Sequence, residues 1–145
     1  MVKNIGMKGY GTTGAYDGVK FVNVDLSVIS GDSVNTINRA GIYLLNGSDS
    51  NTLMDNFIHS SQSYGIYLSV SSNNAVLRNV SDSNGWFGVY VSGGSNNRFT
   101  QNEVRLNFRY QIYLDFTSVS DTFQKNIIQA SSYNPDSGVY NSTNN

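Results

Sequence analysis

Apolar residues in this chain recur with period two inside short runs and with a period near 23 residues between runs. Ile42 and Leu44, Ile66 and Leu68, Val89 and Val91, and Ile112 and Leu114 each bracket a tyrosine. The full units are Gly41-Ile42-Tyr43-Leu44, Gly65-Ile66-Tyr67-Leu68, Gly88-Val89-Tyr90-Val91 and Gln111-Ile112-Tyr113-Leu114. A partial copy opens at Gly138-Val139-Tyr140. Their starts lie 24, 23, 23 and 27 residues apart. Alternation of this kind is strand spacing rather than the 3.6-residue spacing of a helix. A fixed period of this length marks a solenoid, in which each repeat stacks on the last.

Two polar columns keep step with the tetrapeptide. Asn51, Asn74, Asn97 and Asp121 precede short apolar runs, and Asn56, Asn79, Asn102 and Asn126 follow five residues later. The pattern predicts three short strands per coil, with Asn, Ser and Gly at the bends. Residues 18–40 read as a degenerate coil: Gly18-Val19-Lys20-Phe21 stands for the tetrapeptide, and Ser27 and Asp32 hold the two polar positions. The chain thus reads as a single domain over residues 1–145, with regular coils over 18–137. Residues 1–17 are a partial or irregular leading coil, with Gly9, Gly11, Gly14 and Thr12-Thr13 in turns. An insertion near Ser132-Tyr133-Asn134-Pro135-Asp136 holds the one proline, and 138–145 is a truncated coil. The reading is of a piece of a longer solenoid, whose uncapped ends offer strand edges for self-association.

Composition narrows the function classes. A net charge of −1 with no basic stripe argues against nucleic acid as a partner. There is no cysteine, and His59 is the one histidine, so no metal or other cofactor is expected. No apolar run approaches the length of a membrane span, so membrane insertion is not expected either. Asn79-Val80-Ser81 and Asn141-Ser142-Thr143 match the glycosylation acceptor pattern.

The Asn-x-apolar-x-x-Asn and Gly-Ile-x-Leu copies over about residues 18–141 resemble the right-handed parallel β-helix repeats of the pectate-lyase-like superfamily. The nearest flavours are carbohydrate-binding and sugar-hydrolase repeat domains and NosD-type periplasmic proteins. The resemblance implies an all-β fold: a right-handed single-stranded parallel β-helix of about five coils of 23–24 residues. Stacking coils about 4.8 Å apart would align Asp32, Asn56, Asn79, Asn102 and Asn126 as a buried ladder. Because His59 has no companion ligand, the copper role of NosD-type proteins is not carried over.

With the aliphatics of the tetrapeptide inward, alternation turns Lys20, Tyr43, Tyr67, Tyr90, Tyr113 and Tyr140 outward as one stripe. In enzymes of the resembling superfamily, that sheet commonly forms the substrate groove. The candidate carbohydrate-binding residues are Tyr43, Tyr67, Tyr90 and Tyr113, with Lys20 and Arg109 as cations at the two ends. Flat tyrosine rings suit stacking on sugars, and the competing reading is tyrosines stacked for stability alone. Tyr64, Phe87 and Tyr110 either fill the core or the bend, which is the favoured reading, or flank the stripe. Acid–base chemistry would have to come from Lys20, Arg39 and Tyr43 or from Arg109, Tyr113 and Asp115, and neither set contains paired aspartates, so no catalytic residue is assigned. The favoured function is a polysaccharide-binding module of a secreted, surface or periplasmic protein. The alternatives are a fragment of a lyase or uronate epimerase acting on acidic glycans, and a spacer or adhesin segment with no ligand.

Overall fold

The computed structural model describes residues 1–8, 14–131 and 138–141. Every coil contributes one strand to each of three parallel six-stranded sheets. The first sheet stacks Val2–Lys3, Val28–Ser30, Thr52–Met54, Ala75–Leu77, Arg98–Thr100 and Thr122–Gln124. The second stacks Gly6–Lys8, Ser33–Asn35, Phe57–His59, Val80–Asp82, Glu103–Arg105 and Ile127–Gln129. The third stacks Val19–Val22, Ala40–Leu45, Tyr64–Ser69, Phe87–Ser92, Tyr110–Leu114 and Val139–Asn141. Residues 1–8 therefore supply two strands in register with the coil that follows. Gly9, Gly11, Thr12, Thr13 and the proline insertion at 132–136 lie outside the described residues.

The register is that of the repeat. Val19, Ile42, Ile66, Val89 and Ile112 pair in one inward column, and Leu44, Leu68, Val91 and Leu114 in the next. Ile29, Leu53, Val76 and Phe99 fill the core from the first sheet, and Val34, Ile58 and Val104 from the second. A one-residue slip would turn every one of these outward, so burial fixes the register.

Polar ladders close the corners. Between the first and second sheets, each asparagine side-chain oxygen accepts from the coil before it. Asn56 N and Nδ2 donate to Asn79 Oδ1 at 3.0 and 2.9 Å, and Asn79 N and Nδ2 donate to Asn102 Oδ1 at 2.9 and 3.0 Å. Asn51, Asn74, Asn97 and Asp121 repeat the arrangement at the corner before the first sheet. A third ladder, which the sequence reading did not identify, runs through Ser61, Asn84 and Asn107 after the second sheet. These residues lie five positions beyond Asn56, Asn79 and Asn102, the same step that relates the first two columns. The third ladder also explains why Gln111 replaces glycine in the fourth tetrapeptide. Its side chain turns into the core, accepts from Asn107 Nδ2 at 2.7 Å and donates to the Asn107 carbonyl at 3.1 Å, taking the place of a further ladder amide.

Asn79 is only 1% exposed, so its acceptor pattern is closed to glycosylation once the chain folds; the Ser142-Thr143 part of the second lies outside the described residues. Two outward charge pairs link adjacent coils. Arg78 is bidentate to Asp55 at 2.8 and 2.9 Å, and Arg105 reaches Asp82 at 3.6 Å. Solvent-exposed pairs of this kind contribute little, because water and salt screen them. No helix among the described residues is long and apolar enough to cross a membrane.

Candidate functional site

The outward face of the third sheet gathers two adjacent columns of aromatic rings. Tyr43, Tyr67, Tyr90, Tyr113 and Tyr140 are paired in register on successive strands. Tyr64, Phe87 and Tyr110 form the second column, so of the two placements the one that flanks the stripe holds. The reason is local. Gly65 sits at the inward bend between Tyr64 and Ile66, where a Cβ would overlap Ser81 Oγ and lie 2.6 Å from the Gly88 carbonyl oxygen. Bending there turns Tyr64 outward, and its ring packs on Tyr67 at 5.0 Å and Tyr90 at 5.3 Å. Phe87 is buried beneath the rings around it rather than in the aliphatic core.

The rings do not present flat faces to solvent. Tyr43 and Tyr67 stack at 4.5 Å and 4°, Tyr67 and Tyr90 at 4.6 Å and 8°, and Tyr113 and Tyr140 at 4.7 Å and 10°. Faces are thus consumed by neighbours along the solenoid axis, so stacking between strands is real, and what reaches solvent is ring edges and phenol oxygens. Rings stacked on one another in this way do not offer the open faces expected for sugar stacking. The stack has one break: Tyr90 and Tyr113 meet at 73°, and Tyr113 instead stacks on Phe87 at 4.6 Å and 7°.

The six residues singled out from sequence divide between the ends and the middle of this stripe. Tyr43 is closed off, only 8% exposed, with Arg39 4.9 Å and Lys20 5.8 Å from its ring centroid and Tyr67 on its other face. Arg39 is itself paired with Asp17. Tyr43 therefore offers no free ring, a correction to its place among the contact residues, and Lys20 belongs to that covered end. Tyr67, Tyr90 and Tyr113 are half-buried and edge-exposed. Arg109 stands at the far end, four strands from Lys20, or about 19 Å at the usual spacing. Its guanidinium lies 5.5 Å from the Trp86 ring centroid. With Phe87, Tyr110, Tyr113 and Tyr140 it lines an open pocket of about 450 Å³ beside the break.

A polar row borders the tyrosines on the opposite side from Arg109. The Tyr90 phenol donates to Asp115 Oδ2 at 3.4 Å, and the Ser92 hydroxyl lies beside both groups and favours their charged forms. Burial pushes the Asp115 carboxyl up, but hydrogen bonds from Ser92, Thr117 and the Gly93 N–H outweigh it and hold the group below the ordinary carboxylate value. Burial is also the main reason that the Tyr43, Tyr64, Tyr90 and Tyr113 phenols are raised, with adjacent acidic groups adding to it. These phenols are neutral hydrogen-bond donors at physiological pH. Such a surface can bind a chain of hydroxyls, with one carboxylate acceptor and one guanidinium on either side of the break. A phenol acting as general base would need the opposite shift. His59 is remote from this face, on the second sheet against Phe57. Among the described residues no three His, Cys, Asp or Glu side chains converge as metal ligands.

Comparison with known structures gives parallel β-helices. The periplasmic alginate epimerase AlgG (T265N T268M double mutant) is 25% identical with a TM-score of 0.67, over 68% of this chain and 23% of that one. The AlgG D317A mutant aligns at 17% identity and TM-score 0.68, over 88% of this chain and 36% of that one. The A-module of the Azotobacter vinelandii mannuronan C-5 epimerase AlgE4 aligns at 20% identity and TM-score 0.65, over 79% and 37%. The chain thus spans about a quarter to two fifths of the length of these proteins. A search of curated proteins finds no match. The model of the right-handed β-helix region matches residues 10–145. With its three parallel sheets, its stacked aliphatic columns and its asparagine ladders, the chain belongs to the right-handed β-helix family.

Proposed function

We propose that this β-helix region is a polysaccharide-binding module and that the tyrosine face of the third sheet is where the sugar chain lies. The observation that carries the reading is the row of neutral phenol edges that breaks between Tyr90 and Tyr113, with the Arg109 pocket on one side and Asp115 on the other. A polyhydroxylated chain needs hydrogen-bond partners at repeated spacing, and a stacked sheet supplies them once per coil. Edge-on tyrosines bury C–H surface while offering hydroxyls. The related solved proteins act on alginate or mannuronan by their names, which supports a periplasmic or extracellular setting and an acidic glycan.

A second reading, an epimerase or lyase fragment acting on acidic glycans, is favoured by one feature: a cation and an acid–phenol pair face each other across the break. The raised phenols weigh against it, because proton abstraction next to a carboxylate needs a base already poised near neutral pH. The third reading is a spacer with no ligand.

Calorimetric titration with alginate separates the three. The wild-type protein is expected to bind, and Tyr67→Ala and Tyr90→Ala are each expected to weaken binding about tenfold, the loss of roughly 1.4 kcal/mol of contact, while still melting cooperatively. Binding that both variants leave unchanged would sink the tyrosine-face reading. Solvent deuterium appearing at a ring carbon of alginate incubated in heavy water would favour the epimerase reading instead.

A further inference from the structure

The turn after each third-sheet strand places a residue at positive φ in four successive coils: Asn23 at 54°, Asn46 at 54°, Val70 at 49° and Gly93 at 75°. Asparagine and glycine enter that region at little cost. A β-branched residue does so only under strain, because its two γ-carbons crowd the backbone. Val70 is the one β-branched aliphatic residue at positive φ among the described residues. Packing does not offset the strain, since Val70 is 62% exposed and outside the buried core. A strained, exposed, apolar side chain is a poor choice for folding and points to work done at the surface.

Its neighbours indicate what that work is. Gly93 follows Val70 in the same column, and a Cβ there would sit 3.6 Å from Val70 Cγ2 and 3.5 Å from Thr117 Oγ1. Val70 and Thr117 thus flank a residue with no side chain, leaving a notch with Val70 on one wall. Phe116, 78% exposed, precedes Thr117 in the chain. The notch lies two residues beyond Val91 and three beyond Tyr90, whose phenol donates to Asp115 Oδ2 at 3.4 Å. Strain at Val70, the bare Gly93 and the break in the tyrosine stack therefore fall within three successive coils.

We propose that Val70 is a specificity-determining contact of the tyrosine face, its isopropyl group packing on the C–H face of one sugar unit whose hydroxyls reach Tyr90 and Asp115. The inference rests on the carbohydrate reading above and adds to it a site for a single sugar unit at the Val70–Gly93 notch.

The test combines thermal melting with alginate titration for Val70→Asn, Val70→Gly and Val70→Ile, beside Tyr90→Ala. Asparagine and glycine relieve the strain and remove the apolar contact, so both variants are expected to melt about 3–6 °C higher. Both are also expected to bind alginate about five- to tenfold more weakly. Isoleucine keeps the contact and is expected to bind within about twofold of wild type. Val70→Asn binding as tightly as wild type overturns the inference, and so does a Val70→Asn melting point no higher than wild type. A loss with Val70→Asn but none with Tyr90→Ala supports the apolar contact at the notch and overturns the placement of the sugar's hydroxyls at Tyr90. A wild-type protein that does not bind alginate overturns both.

Discussion

Replacing Asn79 with leucine is expected to lower the melting temperature by about 10–20 °C, a loss of about 3–5 kcal/mol. Leucine matches asparagine in size and suits the core, so hydrophobicity alone would rate the change as harmless or favourable. The ladder says otherwise. Asn79 Oδ1 accepts from the Asn56 backbone N–H and side-chain amide, and Asn79 Nδ2 donates to the Leu53 carbonyl at 2.9 Å and to Asn102 Oδ1 at 3.0 Å. Leucine would strand partners on both neighbouring coils in a region closed to water, and each orphaned group costs about 1–3 kcal/mol. Chemical or thermal denaturation followed by circular dichroism reads the effect. A shift of less than about 3 °C would mean that the ladder is incidental to stability.

The second large effect is expected at the repeat glycine. A Cβ added at Gly88 would overlap Val104 and the Asn107 amide and would lie 2.7 Å from the Gln111 carbonyl oxygen. Two of those three neighbours are held rigidly, one as backbone and one as a ladder rung, so the coil itself must move. Gly88→Ala is expected to cost about 2–4 kcal/mol, at the upper end for overpacking, and to broaden the unfolding transition. Gly138→Ala is the internal control, because a Cβ there meets nothing within 4 Å among the described residues. Equal melting temperatures for the two variants would contradict the account of why this column is glycine.

These two expectations mark what the sequence could and could not convey. The columns of Ile42, Leu44 and Asn79 were legible because a solenoid repeats its environment every coil, so one residue type recurs where one physical demand recurs. Gln111 shows the limit. It looks like a lapse in the glycine column, and its role emerges only from three dimensions, where its side chain caps the Asn84–Asn107 ladder. The tyrosine stripe was legible as outward, but ring orientation was not. Strand alternation gives the direction of a Cβ, whereas the tilt of a ring depends on what packs beside it. Thus Tyr43 is sealed by Arg39 and Lys20, while Tyr113 turns away from Tyr90 to meet Phe87. Tyr64, Phe87 and Tyr110 are ambiguous in the sequence for a related reason, since the glycine bend after each of the first two interrupts the period-two count that would place them inside.

The Val70 turn was silent in the sequence altogether. A valine in a polar loop attracts no notice until its φ is known, and only then does its departure from Asn23, Asn46 and Gly93 carry meaning.

The central claim is that the third-sheet tyrosine face is the surface that meets polysaccharide. Hydroxyl-radical footprinting with and without alginate tests it most directly, because aromatic side chains report their own solvent exposure. Oxidation of Tyr67, Tyr90, Tyr113 and Tyr140 is expected to fall several-fold with alginate, with Phe57 and His59 on the second sheet unchanged. Tyrosines oxidised equally in both conditions, or protection confined to the Phe57–His59 face, would contradict it.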